Sequence, residues 1–263
     1  MFSVTEEQFA GPDLVLRAHL APWDRPILRV GTAAITDLCL LDPQGLEQGW
    51  SAFRDWCDRN EVGLVVARLA HERIAESGFL EARGFRFIEL NYRPLVTDLS
   101  RFPSEADLAI EPATLAEQDE IRGIAQQVFE AGRLHLDPLV GAEIGNRRYA
   151  GWAESAFHNP AQRVMKCCLD GRIIAFFVVE QSTPQRCFWS LVGLAPGLAG
   201  QGLGRRVWQA MLAQHAAEGM SEVETSISSH NSAALNLYVS LGFRFPPPAI
   251  TLHWCPRGPL RPD

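Results

Sequence analysis

With 263 residues, 47% of them hydrophobic and 21% charged, the chain has enough apolar material for buried cores, which excludes disordered and fibrous classes and fits two ordinary domains. Its net charge of −7 is the wrong sign for a protein that binds by neutralising phosphate backbones, so nucleic acid is not an expected partner. The start, Met1 to Glu7, shows no basic segment followed by an apolar one, and the six cysteines form no C-x-x-C pair. The expectation is a cytoplasmic protein with buried free thiols and no metal site.

In chain order, Trp23–Ile35 reads as mostly extended, Gly45–Arg59 as an amphipathic helix and Gly63–Leu69 as a buried strand. His71–Arg83 reads as a helix stopped by Gly84, and Phe85–Leu95 as a strand. Prolines 94, 103 and 112, with Ser100, Ser104 and Asp107 between them, predict a linker over 101–110 that separates a domain of residues 1–100 from one of residues 111–263. Thr114–Phe129 then reads as a helix opened by the capping box Thr114-Leu-Ala-Glu117, and a loop, Glu130–Pro138, leads to a helix over Val140–Phe157. Arg163–Leu169 and Arg172–Gln181 flank Asp170-Gly171, a strong hairpin signal. Cys187–Leu194 is a strand, Gly202–Glu218 a helix, Glu222–Ser228 a strand, Ser232–Leu241 a helix capped by Gly242, and Ala249–Trp254 a strand. Gly84-Phe85-Arg86-Phe87 recurs as Gly242-Phe243-Arg244-Phe245, each at a helix-to-strand turn, although Tyr238 in the second copy falls on Leu80 in the first.

The longest uncharged stretch, Cys187–Gly204, contains five glycines, Pro196 and Gln201, a composition that would leave backbone groups unpaired in lipid and reads against a membrane span. Within it, Gly200-Gln-Gly202-Leu-Gly204-Arg205-Arg206 joins a strand to a helix. Glycines there allow positive φ and aim successive N–H groups at one spot beside a helix N-terminus, which suits a pyrophosphate. A P-loop would need Lys-Ser or Lys-Thr after the last glycine, and a dinucleotide fingerprint a third glycine; the sequence has neither. Arg205 and Arg206 sit in the first helical turn, where the macrodipole disfavours cations, so at least one of them is expected to meet an anion. Downstream, Asn231, Ala234 and Tyr238 share one face of a helix.

Val192-Gly-Leu194-x-Pro196, Gly200-Gln-Gly202-Leu-Gly204 and Asn231…Ala234…Tyr238…Gly242-Phe243 together resemble the GNAT (Gcn5-related) N-acetyltransferase superfamily over residues 108–256. The resemblance implies an α+β GNAT fold, with a mixed, mostly antiparallel central sheet, helices on both faces and a degenerate GNAT-like N-terminal half. It implies acetyl-CoA as co-substrate: Val192 and Leu194 along the pantetheine, Gly200, Gln201, Gly202, Leu203, Gly204 and Arg205 at the pyrophosphate, Asn231 on the pantetheine and Tyr238 at the thioester sulfur as catalytic acid. Ala199 departs from the family pattern, which has Arg or Gln there. A narrower likeness, to the TDP-fucosamine acetyltransferases, implies a nucleotide-linked 4-amino-4,6-dideoxyhexose as acceptor, with Arg133, His135, Asp137 and Tyr149 as acceptor-site residues. His135, His230 or an ordered water are open as the base. Acetylation of a protein N-terminus or another amine, a non-catalytic acetyl-CoA-binding module, and a homodimer stay open as well.

Overall fold

The computed structural model describes residues 4–42, 44–198 and 200–260, and divides into two compact units, neither of them contiguous in sequence. The first unit takes the chain up to Asn91, Gly132–Gly145 and the chain from Pro247. The second takes Tyr92–Ala131 and Asn146–Pro246. This division departs from a linker over 101–110. Pro94 interrupts pairing because it has no N–H, so the expected strand Phe85–Leu95 becomes two, Arg86–Tyr92 and Leu95–Thr97. Leu95–Thr97 then pairs antiparallel with Glu222–Thr225 of the second unit. Ala109–Pro112, which overlaps the end of the expected linker, is an edge strand on Gln162–Leu169 and ends on a proline, as an edge tolerates.

In the first unit the strands run in the order Glu6–Ala10, Leu14–Leu20, Gly31–Leu40, Val62–Ala70, Ala249–Trp254, Arg86–Tyr92. Gly31–Leu40 and Val62–Ala70 are parallel, whereas Ala249–Trp254 is antiparallel to both of its neighbours, with Leu252 opposite Ala67 and Phe87. The helix Gln48–Arg59 links the parallel pair and buries Trp50, Phe53, Trp56 and Cys57, residues spaced to share one face. Asp13 supplies its N-terminal cap, accepting from Gly49 N at 2.8 Å and Trp50 N at 3.1 Å; burial pushes the Asp13 carboxyl up, but these N–H groups hold it below its usual range. Trp23–Ile35 is not extended throughout: a short helix, Arg25–Leu28, with Pro26 in its first turn, precedes the strand that starts at Gly31.

In the second unit the order is Leu95–Thr97, Glu222–Thr225, Arg186–Leu194, Arg172–Thr183, Gln162–Leu169, Ala109–Pro112. Only Glu222–Thr225 and Arg186–Leu194 are parallel; the other neighbours are antiparallel. Asp170 and Gly171 both have positive φ, 50° and 73°, as the hairpin requires. Thr114 and Glu117 close the expected capping box, with Thr114 N donating to Glu117 Oε2 at 2.8 Å, and the helix Gln118–Val128 follows. The helices Leu203–Ala217 and Ser232–Ser240 cover a core of Trp189, Phe177, Trp208, Met211, Tyr238 and Phe243. This is a mixed α+β architecture with mostly antiparallel strands, the class expected from the sequence.

The four-residue repeat falls on equivalent turns in the two units. Phe85 N donates to Leu80 O at 3.1 Å, and Phe243 N to Tyr238 O at 3.0 Å, each around a glycine of positive φ. The offset between these bonds is the one that aligns the repeat, and the first unit carries Leu80 where the second has the phenol.

Of the six cysteines Cys39 is exposed and Cys168 half-buried, which corrects the expectation of buried thiols at these two, and all six are free. Burial pushes the Cys57, Cys167 and Cys187 thiols up to about 12, so these are inert at neutral pH.

Gly193 lies in the strand Arg186–Leu194, where a Cβ would come within 2.6 Å of Phe176 Cε1 and 3.0 Å of Val128 Cγ2. Gly193→Ala should therefore destabilise the second unit by about 1–3 kcal/mol through overpacking, read as a lower urea midpoint with unchanged slope; an unchanged midpoint would show that the helix Gln118–Val128 yields freely.

Candidate functional site

The parallel pairing of Arg186–Leu194 with Glu222–Thr225 runs from Arg186/Glu222 to Trp189/Thr225 and stops. Thr225 Oγ1 donates to Trp189 O at 2.9 Å at this last rung. On its other edge the strand stays paired through Leu194/Ala175, with one extra residue, Ser190, between Trp189/Val179 and Leu191/Val178. Such a bulge sharpens the local bend and sends the strand away from its parallel neighbour. Ala195 N donates to Ile174 O at 2.8 Å. Because N–H groups alternate between the two edges of a strand, those of Leu194 and Val192 are directed at the edge that has lost its partner. A linear ligand with amide groups can pair there as a missing strand would. The bulge was not read from the sequence, where the polar Ser190 within an apolar alternation was its only trace.

The strand then enters the glycine turn. Gly197, Gly200 and Gly202 have φ of 79°, 78° and 76°, and no atom lies within 4 Å of a Cβ built on any of them. Backbone conformation, not crowding, selects glycine here. Gly202 is the N-cap of Leu203–Ala217, so the unpaired N–H groups of the first helical turn, Leu203 and Gly204 among them, face the turn. The Gln201 side chain closes the loop by donating to Gly197 O at 2.8 Å. Ala199 lies outside the described residues. The two arginines after the turn separate: Arg206 pairs with Glu105 at 2.9 Å and with Asp107, which raises its pKa, whereas Arg205 is exposed and has no carboxylate partner among the described residues. The anion expected for Arg206 is therefore the protein's own.

Asn231 is the N-cap of Ser232–Ser240, its Oδ1 accepting from Ala234 N at 3.1 Å. That bond leaves the side-chain NH2 for another acceptor. Two turns on, Tyr238 is 4% exposed and packs on Phe243 with ring centroids 4.8 Å apart. Burial pushes its phenol up, opposed by the Trp208 and Thr225 side chains beside the hydroxyl. Thr225 is the residue at which the parallel pairing stops, so the phenol and the open edge belong to one place in the second unit. Trp208 and Thr225 were not singled out from the sequence, where an indole and a threonine carry no distinguishing pattern.

The acceptor-site residues inferred from the loop divide between the units. Arg133, His135 and Asp137 belong to the first. Asp137 is fully buried: its Oδ1 accepts from Arg86 Nη2 at 2.8 Å and Leu139 N at 2.9 Å, and its Oδ2 faces His253 Nδ1 at 2.9 Å. Arg133 Nη1 stands 3.1 Å from His253 Nε2; a guanidinium can only donate, so Nδ1 carries the imidazole proton toward Asp137. Burial and the neighbouring Arg133 outweigh Asp137 and push His253 down to about 4. Burial pushes Asp137 up, but His253 and Arg86 hold it below its usual range. The His135 ring lies against Gly145, whose Cβ would stand 2.6 Å from it. These residues hold the segment Gly132–Gly145 in the first unit. Tyr149 belongs to the second unit, where it stacks on Phe129 at 4.3 Å and 16° and on Trp152 at 6.3 Å and 18°. Among the described residues no group of three or more His, Cys, Asp or Glu could hold a metal ion, and no helix is long and apolar enough to cross a membrane.

Residues 129–243, which span the open edge, the glycine turn and Tyr238, match the acetyltransferase (GNAT) family. A mycothiol acetyltransferase from Clavibacter michiganensis subsp. michiganensis is 26% identical over 205 residues; the match takes in 78% of this chain and 63% of that protein, so the chain spans less than two thirds of its relative. Among solved structures, a GCN5-related N-acetyltransferase from Kribbella flavida aligns with TM-score 0.61 and 18% identity over 98% of this chain and 91% of that one. A tandem GNAT protein from the clavulanic acid biosynthesis pathway aligns with TM-score 0.55 and 15% identity over 95% and 80%. At these identities the structural matches speak for the fold alone.

The buried cluster sets an expectation for stability. Between pH 6.5 and about 4 the unfolded chain binds a proton at His253 that the folded protein does not, so stability falls as pH drops through that window. His215, also pushed down by burial, acts in the same direction. The thermal midpoint at pH 5 should lie below that at pH 7. Asp137→Ala should cost about 3–5 kcal/mol in urea at pH 7 by leaving Arg86 and His253 without their carboxylate; a variant as stable as the parent would show that the cluster does not hold the segment.

Proposed function

We propose, from the match of residues 129–243 to the GNAT acetyltransferases, that this protein transfers the acetyl group of acetyl-CoA to the amino group of a small molecule. The observation that carries the reading is the open edge at Val192–Leu194 lying between a glycine turn of free N–H groups and a buried phenol. A thioester supplies an acyl carbon that a neutral amine can attack, with a thiolate as leaving group. The Leu194 N–H is suited to hold the carbonyl oxygen as it gains charge. Gly200 to Gly204 would hold the pyrophosphate through backbone N–H groups, with Gln201 keeping the loop closed. Val192 and Asn231 would meet the pantetheine amides, Val192 through its backbone and Asn231 through the NH2 that capping leaves unused.

Tyr238 is the proposed acid. Its pKa, already near 10 for a free phenol and pushed higher by burial, keeps it protonated at neutral pH and ready to give its proton to a departing thiolate. The amine must arrive neutral; an ordered water or His230 would take its proton on attack.

For the acceptor we propose an amino sugar, a nucleotide-linked 4-amino-4,6-dideoxyhexose in its narrowest form. The aromatic row of Phe129, Tyr149 and Trp152 supports the sugar. Phe129 also meets Phe176, the ring against which Gly193 packs, so the aromatic row starts beside the proposed thioester position. With their faces turned on one another, the rings offer apolar edges against which the C–H groups of a hexose can pack. The engagement of Arg133 and Asp137 in the first unit's buried cluster removes the charges that would have held a nucleotide, so the bare aminohexose is tested beside the nucleotide-linked one.

Release of CoA thiol is measured with acetyl-CoA against aminohexoses, TDP-aminohexoses, simple amines and a peptide N-terminus. Turnover should be fastest with the aminohexose group. Peptide turnover alone would replace the acceptor, and cofactor binding without turnover on any amine would make the protein a binding module. Tyr238→Phe should lower kcat by about 10²-fold or more and leave acetyl-CoA affinity within about two-fold, since only a hydroxyl is lost; unchanged turnover would remove Tyr238 from the mechanism.

A further inference from the structure

We propose that the first unit holds a second copy of the co-substrate groove that the chain keeps filled with its own side chains, Asp13 in the place of the pyrophosphate and Arg73 in the place of the pantetheine amides, so that each chain takes one molecule of coenzyme A. The assignment rests on the acetyl-CoA reading of the second unit. Its starting point is backbone geometry. The parallel pairing of Gly31–Leu40 with Val62–Ala70 ends at Ile35/Ala67, while Gly31–Leu40 stays paired on its other edge through Leu40/Leu14, with one extra residue, Thr36, between Ile35/Ala18 and Asp37/Arg17. The same divergence and bulge occur at Trp189, Ser190 and Leu191. The hydroxyls of both bulge residues donate across the strand pair over 3.3 Å, Thr36 Oγ1 to Arg17 O and Ser190 Oγ to Val178 O. Leu41 N donates to Asp13 O at 2.8 Å, as Ala195 N does to Ile174 O. The N–H and C=O groups of Leu38 therefore face the open edge, as those of Val192 do.

What differs is the occupant. The offset that carries Ser190 onto Thr36 carries Leu203 and Gly204, whose N–H groups are proposed for the pyrophosphate, onto Gly49 and Trp50. Those two N–H groups are bonded to the two oxygens of Asp13, which is 1% exposed, so a carboxylate already holds the positive end of Gln48–Arg59. Beyond the helix, the offset of the Gly-Phe-Arg-Phe repeat carries Asn231 onto Arg73. Each is the N-cap of the helix that follows, Ile74–Glu81 for Arg73 and Ser232–Ser240 for Asn231, with φ of −78° and −91° and ψ of 56° and 70°. The Arg73 guanidinium donates to Leu38 O and is held there by Glu76 at 2.8 Å, while Leu38 N donates to Asp37 Oδ1 at 3.0 Å. The chain itself thus supplies Leu38 with a donor and an acceptor, where Val192 is left to a ligand. At the reacting end, Ala67 and Leu80 stand in the places of Thr225 and Tyr238. A second coenzyme A would have to displace a buried carboxylate and an ion-paired guanidinium.

Coenzyme A is titrated into the full chain by calorimetry and native mass spectrometry, and backbone amide exchange is followed with and without it. The parent should bind one equivalent. Without ligand the Gly49 and Trp50 amides should already exchange slowly, and coenzyme A should leave them unmoved, whereas those of Leu194, Leu203 and Gly204 should slow by about 10-fold or more on binding. Asp13→Ala should speed exchange at Gly49 and Trp50 by about 5-fold or more, with affinity for coenzyme A kept within about two-fold. Should that variant fail to fold by circular dichroism, Asp13→Asn, which keeps one acceptor, is read in its place. Arg73→Ala should let pantetheine slow exchange at Leu40, an effect absent from the parent. A second equivalent in the parent, protection of Gly49 and Trp50 that depends on coenzyme A, unchanged exchange there in the folded Asp13 variant, or an Arg73→Ala edge that ignores pantetheine overturns the closure and leaves the acetyl-CoA reading of the second unit standing. A folded parent that binds no coenzyme A overturns that reading.

Discussion

One rung of parallel pairing, Trp189 against Thr225, decides what the second unit can do. Up to it, the two central strands satisfy each other's backbone; after it, the bulge at Ser190 leaves Leu194 and Val192 with N–H groups and no neighbour. Thr225 Oγ1 on Trp189 O pins the divergence. The residues around the rung serve it: Trp189 Nε1 donates to the fully buried His215 Nε2 at 2.9 Å, and Phe177 packs edge-on against Trp189. An unpaired backbone edge inside a sheet is costly unless something pairs with it, so the divergence is best understood together with a ligand that brings its own amides.

The electrostatic layout follows the same economy. An acidic chain has to concentrate positive potential locally to receive a polyanion. In the proposed site it would do so without lysine, through backbone N–H groups at the glycine turn and the exposed Arg205, while other arginines nearby are matched to carboxylates. Arg205 and Arg206 are adjacent in sequence and opposite in condition, one open and one held by Glu105 and Asp107. A residue type says little in an arginine-rich protein; the neighbours decide.

Much of the second unit was legible from local pattern. Asp170-Gly171 defines a hairpin by backbone conformation alone, Thr114 and Glu117 cap a helix within three residues, and glycines 200 to 204 need no tertiary context to form a turn. The divisions of the chain were not legible, since pairing of Ala249–Trp254 with Val62–Ala70 joins residues about two thirds of the chain apart, and no local signal reports a partner at such distance. Arg133 and Asp137 were misplaced for a related reason. A loop with charges of both signs looks open to a ligand, and only the packing shows that Asp137 is fully buried on Arg86 and His253. Asn231 and Tyr238 lay between these cases: helical spacing put them on one face, while the capping bond and the burial of the phenol emerged only in three dimensions.

The place of Ala249–Trp254 between Val62–Ala70 and Arg86–Tyr92 has a consequence for how the protein comes into being. Strands made early on the ribosome wait for one made some 160 residues later, about ten seconds or more at ordinary rates of synthesis. During that interval Val62–Ala70 and Arg86–Tyr92 each present a bare edge, the kind of surface that recruits other chains. The exposed Arg68 and Phe87 side chains and the buried Glu89 put two charges along those edges. A nascent chain halted before Ala249 would keep an incomplete first sheet, with two strand edges waiting for the same late partner.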